Sequence, residues 1–146
     1  MNPYTASVVI DRPIAEVFRF VGTEYVENHP RWAPRVVEVR LESPGEMALG
    51  ARGHVLRKQG GKDTPFAFEI TGFEINKRVV IQAEGGPGRF SASYTMTPVG
   101  ERRTRLDVGF SLRMRGLFGL VQPFMGRVFR KEVARVARSI KDMVEA

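Results

Sequence analysis

From near Leu117 to the last residue the chain reads as one long two-faced helix, and that helix dictates what the rest must be. On a period of about 3.6 residues, Val121, Met125, Phe129, Val133, Val136, Ile140 and Met143 share one side, while Arg127, Arg130, Lys131, Arg135, Arg138 and Lys141 share the other. An apolar stripe of that length requires a broad apolar partner. The alternating segments before it can supply one only as the concave face of a sheet, and a single helix across a curved sheet leaves a pocket between the two. Pro123 either kinks this element or marks where its main body begins.

Thr5 to Ile10 alternates and is rich in β-formers, a first strand. Asp11-Arg12-Pro13 then opens a short helix, with Pro13 at the first helical position and either Asp11 or Arg12 as cap. Ile14, Val17, Phe18 and Val21 form its buried stripe, and Gly22 ends it. Tyr25 to Pro34 is irregular or adds one more helical turn. Period-two segments follow, with inward sets Val37, Val39 and Leu41, then Phe66, Phe68 and Ile70, then Phe90, Ala92, Tyr94 and Met96, then Leu106, Val108, Phe110 and Leu112. Ala51 to Lys58, and Val79 to Ala83 after an Asn76-Lys77 turn, complete the strands. Polar residues between the apolar ones, and hairpin-length connections, predict an antiparallel sheet wet on one face. The layout is α+β: a seven-stranded curved antiparallel sheet wrapped around a long C-terminal helix, with one or two short helices after the first strand.

Composition narrows the classes. At 146 residues the chain is expected to form one domain, 1–146, long enough to bury about 70% of its unfolded surface. With no cysteine, disulfides and thiolate metal sites are excluded, and a reducing cytoplasm is the expected compartment. No stretch approaches the roughly 18 apolar residues of a membrane span, and Met1 to Ile10 lacks a basic start followed by an apolar block, so no secretory signal is expected. The net charge of +7 is uneven: residues 1–100 hold 12 basic and 11 acidic side chains, residues 101–146 hold 11 and 5. The excess is either a solvated helix face or a surface for an anionic partner (lipid headgroups, an acidic protein or nucleic acid), an anionic membrane being met through Arg127, Arg130, Lys131, Arg135 and Arg138. Nucleic acid fits poorly, because the basic arc has almost no interleaved aromatic to stack on bases.

Several short segments are similar to the START-like superfamily, the polyketide cyclase/dehydrase and lipid-transport proteins. They are Ile10-Asp11-Arg12-Pro13 followed by Val17-Phe18, Trp32-Ala33-Pro34 leading into Val36-Val37, Leu49-Gly50-Ala51-Arg52-Gly53, Phe68-Glu69-Ile70, Thr104-Arg105-Leu106, and the closing Ser139 to Glu145. The resemblance runs from about Ser7 to Glu145. It implies a helix-grip fold and a deep, largely apolar cavity between sheet and helix. It does not imply a reaction, since proteins of this kind include aromatase/cyclases, ligand carriers and quinone-binding proteins.

No constellation meets the requirements of a known catalytic motif. His29 and His54 have no metal-ligand spacing, so no metal and no cofactor is expected. His29, before Pro30, reads as structural. The run Glu84-Gly85-Gly86-Pro87-Gly88 lies between strands rather than before a helix, so it is a turn and not a phosphate cradle. Weak polar candidates for the cavity are Arg57, His54 and Tyr94. Arg57 faces inward if Gly53 and Val55 do, and is solvated if Leu56 faces inward instead. The aromatic and thioether side chains are the stronger signal: Trp32, Phe66, Phe68, Phe90, Tyr94, Phe110, Met125 and Phe129 fall on inward positions or near the cavity mouth, as ligand-binding candidates or as plain core. Burying about 300 Å² of an apolar ligand at roughly 25 cal/mol/Å² provides about 7 kcal/mol before ordering costs, against about 0–1 kcal/mol for an exposed ion pair. The expectation is therefore a carrier or sensor of a small hydrophobic molecule (a lipid, polyketide or quinone-like compound), with a cyclase/dehydratase-type enzyme as the alternative.

Overall fold

The computed structural model describes residues 4–86, 88–120 and 122–146, the side chains of Gln59 and Phe118 excepted. Strand β1 (Tyr4–Ile10) leads into helix α1 (Ile14–Phe18), a π turn (Arg19–Thr23) and helix α2 (Tyr25–Trp32). Six strands follow: β2 (Val36–Leu41), β3 (Arg52–Gln59), β4 (Lys62–Glu74), β5 (Arg78–Gly85), β6 (Gly88–Pro98) and β7 (Thr104–Met114). Two short 3-10 turns (Gly116–Leu120 and Gln122–Phe124) precede helix α3 (Gly126–Glu145). The antiparallel sheet runs in the order β1-β7-β6-β5-β4-β3-β2, so α1 and α2 carry the chain from one edge to the other and the meander returns to pair β7 with β1.

Local chemistry explains these joints. Gly60 and Gly61 both take positive φ (57° and 83°) in the two-residue turn that pairs Gln59 with Lys62, a conformation other residues resist. Asn76, at φ 58°, makes the turn between β4 and β5, as its short amide side chain permits. Near α1 the proline sits one residue earlier than the sequence suggests. Pro13, extended at ψ 153°, is itself the cap, and its carbonyl accepts from Glu16 and Val17 N–H.

Two register shifts bend the sheet, at Val36/Glu38 and Ile70/Gly72. The first overturns one expectation. Val36 and Val39 are buried while Val37 is 45% exposed, because the extra residue of the bulge breaks the alternation anticipated from Val37 to Leu41.

The terminal element also differs from a continuous rod. Its helical body begins at Gly126, three residues after Pro123, so the proline marks a boundary rather than a kink. Val133, Ala137 and Ile140 are excluded from solvent, with Phe129, Val136 and Met143 partly so. Val121, assigned to the same stripe, lies outside the described residues. The far end of α3 is clasped to the first strand: Lys141 Nζ donates to Val9 O (2.7 Å), Asp11 N–H to Glu145 Oε2 (2.7 Å) and Arg12 Nη2 to Glu145 O (2.6 Å). Beneath this clasp Ile10, Ile70, Val79, Leu106 and Ile140 form a closed core, and the buried Thr104 hydroxyl is satisfied by Arg12 O at 2.9 Å.

Candidate functional site

The other end of the sheet is not filled. A cavity of about 210 Å³ lies between the concave face and the first half of α3, with α2 along one side. The reason is a mismatch of shapes: β4 to β7 continue past the closed core, and Ala83, Ala92 and Gly109 present little side chain where the helix rises above them. Among the lining residues Arg35, Val128 and Glu132 are exposed, which puts the opening between the α2–β2 connection and α3.

All eight aromatic and thioether candidates line this cavity. They divide in two. Trp32, Phe66, Phe68 and Tyr94 are almost wholly buried and form its walls, whereas Phe90, Phe110, Met125 and Phe129 are half-buried. One aromatic row runs from β4 to the helix: Phe66 to Phe90 at 4.9 Å between centroids, Phe90 to Phe110 at 6.1 Å and Phe110 to Phe129 at 5.6 Å. A second group joins α2 to the sheet, with Tyr25 6.0 Å from Phe68 and 6.1 Å from Trp32, and Trp32 5.9 Å from Tyr94.

The polar candidates separate. The burial of Gly53 and Val55 aims Arg57 inward, onto the cavity wall. His54, between them, is turned to the opposite face, exposed and paired with Glu42, which removes it from the cavity and from the catalytic candidates there. Tyr94 lies in the wall. Sequence reasoning set His29 aside as structural and passed over Tyr25. Both belong to α2 and line the cavity, stacked on one another at 4.7 Å. The signal was available: Tyr25, His29 and Trp32 recur at helical spacing and share one face. Glu69 is exposed, as the alternation requires.

The electrostatics of this wall are unusual. Among the described residues, the buried side-chain polar atoms without a hydrogen-bond partner are His29 Nδ1, Trp32 Nε1 and Arg57 Nε, and all three residues line the cavity. Trp32 Nε1 lies near enough to the Tyr94 hydroxyl to affect its ionisation yet does not reach hydrogen-bond geometry. Burial, reinforced by the Arg57 cation, pushes the His29 pKa down to about 3, so the ring is neutral at physiological pH. Burial pushes the Tyr94 phenol up to about 12 and the Tyr25 phenol well above its ordinary value. Desolvation also lowers the Arg57 pKa, but a guanidinium stays charged at neutral pH. The inner wall thus holds the Arg57 cation and several neutral polar groups in an apolar shell, with Arg35 and Glu132 charged at the opening. No cluster of metal-ligating side chains exists among the described residues.

Residues 1–145 match the family model described as polyketide cyclase / dehydrase and lipid transport. The chain belongs to that family. Solved structures similar to this family member include a START superfamily protein from Mycobacterium smegmatis (TM-score 0.75, 14% identity, 97% of this chain and 95% of that one) and a protein from Thermus thermophilus (TM-score 0.75, 16% identity, 97% and 95%). The Zhui aromatase/cyclase from Streptomyces sp. R1128 is similar too (TM-score 0.74, 12% identity, 97% and 92%). At these identities the likeness establishes the helix-grip fold alone. Among curated proteins none matches the sequence. No helix among the described residues of this polyketide cyclase/dehydrase and lipid-transport family member is long and apolar enough to cross a membrane. The basic residues assigned to its helix, Arg127, Arg130, Lys131, Arg135 and Arg138, are all exposed, with Arg135 paired to Glu132.

Proposed function

We propose that residues 1–146 act as one ligand-binding domain that carries or senses a small hydrophobic molecule with a polar acceptor group at one end. The observation that carries this reading is the coincidence of an apolar, aromatic-walled cavity with three unpartnered polar atoms, two of them N–H donors and one beside a permanent cation. Buried polar atoms cost stability unless something satisfies them. A carboxylate, phenolate or carbonyl directed at Arg57 and Trp32 does so, while the row from Phe66 to Phe129 takes the apolar body. Size narrows the guest. An apolar cavity of about 150 Å³ accepts benzene, so about 210 Å³ suits a one- or two-ring compound or a short chain, and a two-chain lipid requires α3 to move away. The cysteine-free composition fits a reducing cytoplasm as the working compartment.

A cyclase/dehydratase role in the same cavity is the second reading, favoured by Arg57, Tyr94 and His29 lining one space. Proton transfer near neutral pH argues against it. A histidine with a pKa about 3 is a weak base, and phenols held above their usual pKa are weak acids. Native mass spectrometry of protein purified from its own host, paired with melting curves in a series of aromatic carboxylates, tests the carrier reading. A co-purified small molecule, or an upshift that grows with ligand concentration, supports it. No adduct and no upshift with any member overturns it, and conversion of an added poly-β-ketone thioester to a cyclised product replaces it with the enzyme.

A further inference from the structure

Beside the cavity mouth the surface carries a feature that ligand binding does not explain. Leu117, Leu120 and Phe124 are 81%, 72% and 81% exposed, and Val128, one helical turn on, is 55% exposed. Other exposed apolar side chains, such as Leu49 and Ile75, stand singly in loops and turns. These four follow one another along the 3-10 turns and the start of α3. Residues 113–131 contain five basic side chains, Arg113, Arg115, Arg127, Arg130 and Lys131, and no acidic one. Arg115 is held by Glu84, whereas Arg113, Arg127, Arg130 and Lys131 have no ion-pair partner among the described residues.

We propose that the surface formed by Arg113, Leu117, Leu120, Phe124, Arg127 and Lys131 docks on an anionic lipid bilayer, inserting Leu117, Leu120 and Phe124 so that the cavity mouth meets the membrane. The charge decides the partner. A second copy of the chain would bring the same cations against themselves, which like-charge repulsion opposes. A bilayer with anionic headgroups offers negative charge above an apolar interior, the arrangement that exposed apolar side chains flanked by arginine and lysine match. The link to the cavity is direct: Met125 follows Phe124 in the chain and lines it, and Val128 belongs both to the exposed patch and to the lining. A hydrophobic guest can then pass between membrane and protein without crossing water.

The test uses the full chain carrying Phe124→Trp, with vesicles of phosphatidylcholine alone or mixed equally with phosphatidylglycerol. Trp32 is 1% exposed and leaves the new indole as the responsive reporter. Expected are a blue-shifted emission and co-sedimentation with the anionic vesicles only, both weakening as salt rises from about 50 to 500 mM. Leu117→Asp with Phe124→Asp, in a protein whose melting temperature and circular dichroism match the parent, weakens association by roughly tenfold or more. Arg127→Ser with Lys131→Ser weakens it in the anionic vesicles. The proposal fails if low-salt anionic vesicles bind nothing, if the double Asp variant binds as tightly as the parent (adsorption by charge alone), or if sedimentation velocity shows a dimer that Phe124→Asp disperses while vesicles do not bind.

Discussion

The guanidinium carbon of Arg57 stands 5.6 Å from the centroid of the Phe90 ring, while the Glu132 carboxylate, also in the cavity lining, favours the charge without forming an ion pair with it. The ring orients the charge without neutralising it. Arg57→Met is expected to weaken binding of an aromatic carboxylate by tenfold or more, with Arg57→Lys in between because lysine lacks the planar fork. Removing this partly buried cation relieves its desolvation but forfeits the attraction of Glu132, so the melting temperature should change little. A loss of stability with unchanged affinity, read by calorimetry on the same samples, would contradict that role.

Ala92 faces the cavity beside Phe110, its register partner on β7. Ala92→Phe fills the space from a side chain already pointing into it. Ligand-induced melting shifts should disappear while the unliganded protein melts at or slightly above the parent temperature, as cavity filling commonly stabilises by about 0.5–2 kcal/mol. Retained ligand response in this variant would put the binding site elsewhere.

His29 gives a pH signature. Its pKa falls from 6.5 to about 3 on folding, so between those values the unfolded chain binds the extra proton. Its contribution is complete above pH about 6.5, falls as the solution is acidified and is gone near pH about 3, with a slope of up to about 1.4 kcal/mol per pH unit. Urea melts of the parent and of His29→Gln across that window should show the shallower acid limb in the variant. Parallel limbs would mean that the imidazole takes up its proton in the fold.

Gly53 has no room for a side chain. A Cβ there would lie 2.0 Å from the Arg40 carbonyl oxygen and 2.9 Å from the Phe68 ring, so backbone and aromatic wall must both shift. Gly53→Ala is expected to cost about 1–3 kcal/mol in chemical denaturation and to weaken ligand binding with it, since Phe68 lines the cavity. Unchanged stability would show that β2 and Phe68 yield more easily than a paired strand should.

What the amino acids determined alone was the set of faces. Period-two alternation in Phe66 to Ile70, Phe90 to Met96 and Leu106 to Leu112 assigns an inward side whatever the partners are, because successive strand residues must point opposite ways. Those runs, with the amphipathic terminal segment, were enough for the fold class and for seven of the eight candidates now seen around the cavity, Trp32 lying outside them. Tertiary structure decided what alternation leaves ambiguous. In β3 Val55 and Leu56 are both apolar, so the face of Arg57 and His54 depended on pairing, which buries Val55 and sends His54 to Glu42. The bulge at Val36/Glu38 reversed Val37, and although Tyr25, His29 and Trp32 share one helical face, only packing of that short helix against the sheet made the face part of the cavity wall. Faces follow from local geometry along one chain segment. Register, bulges and the docking of short helices arise from contacts between distant segments, and no single stretch of sequence contains them.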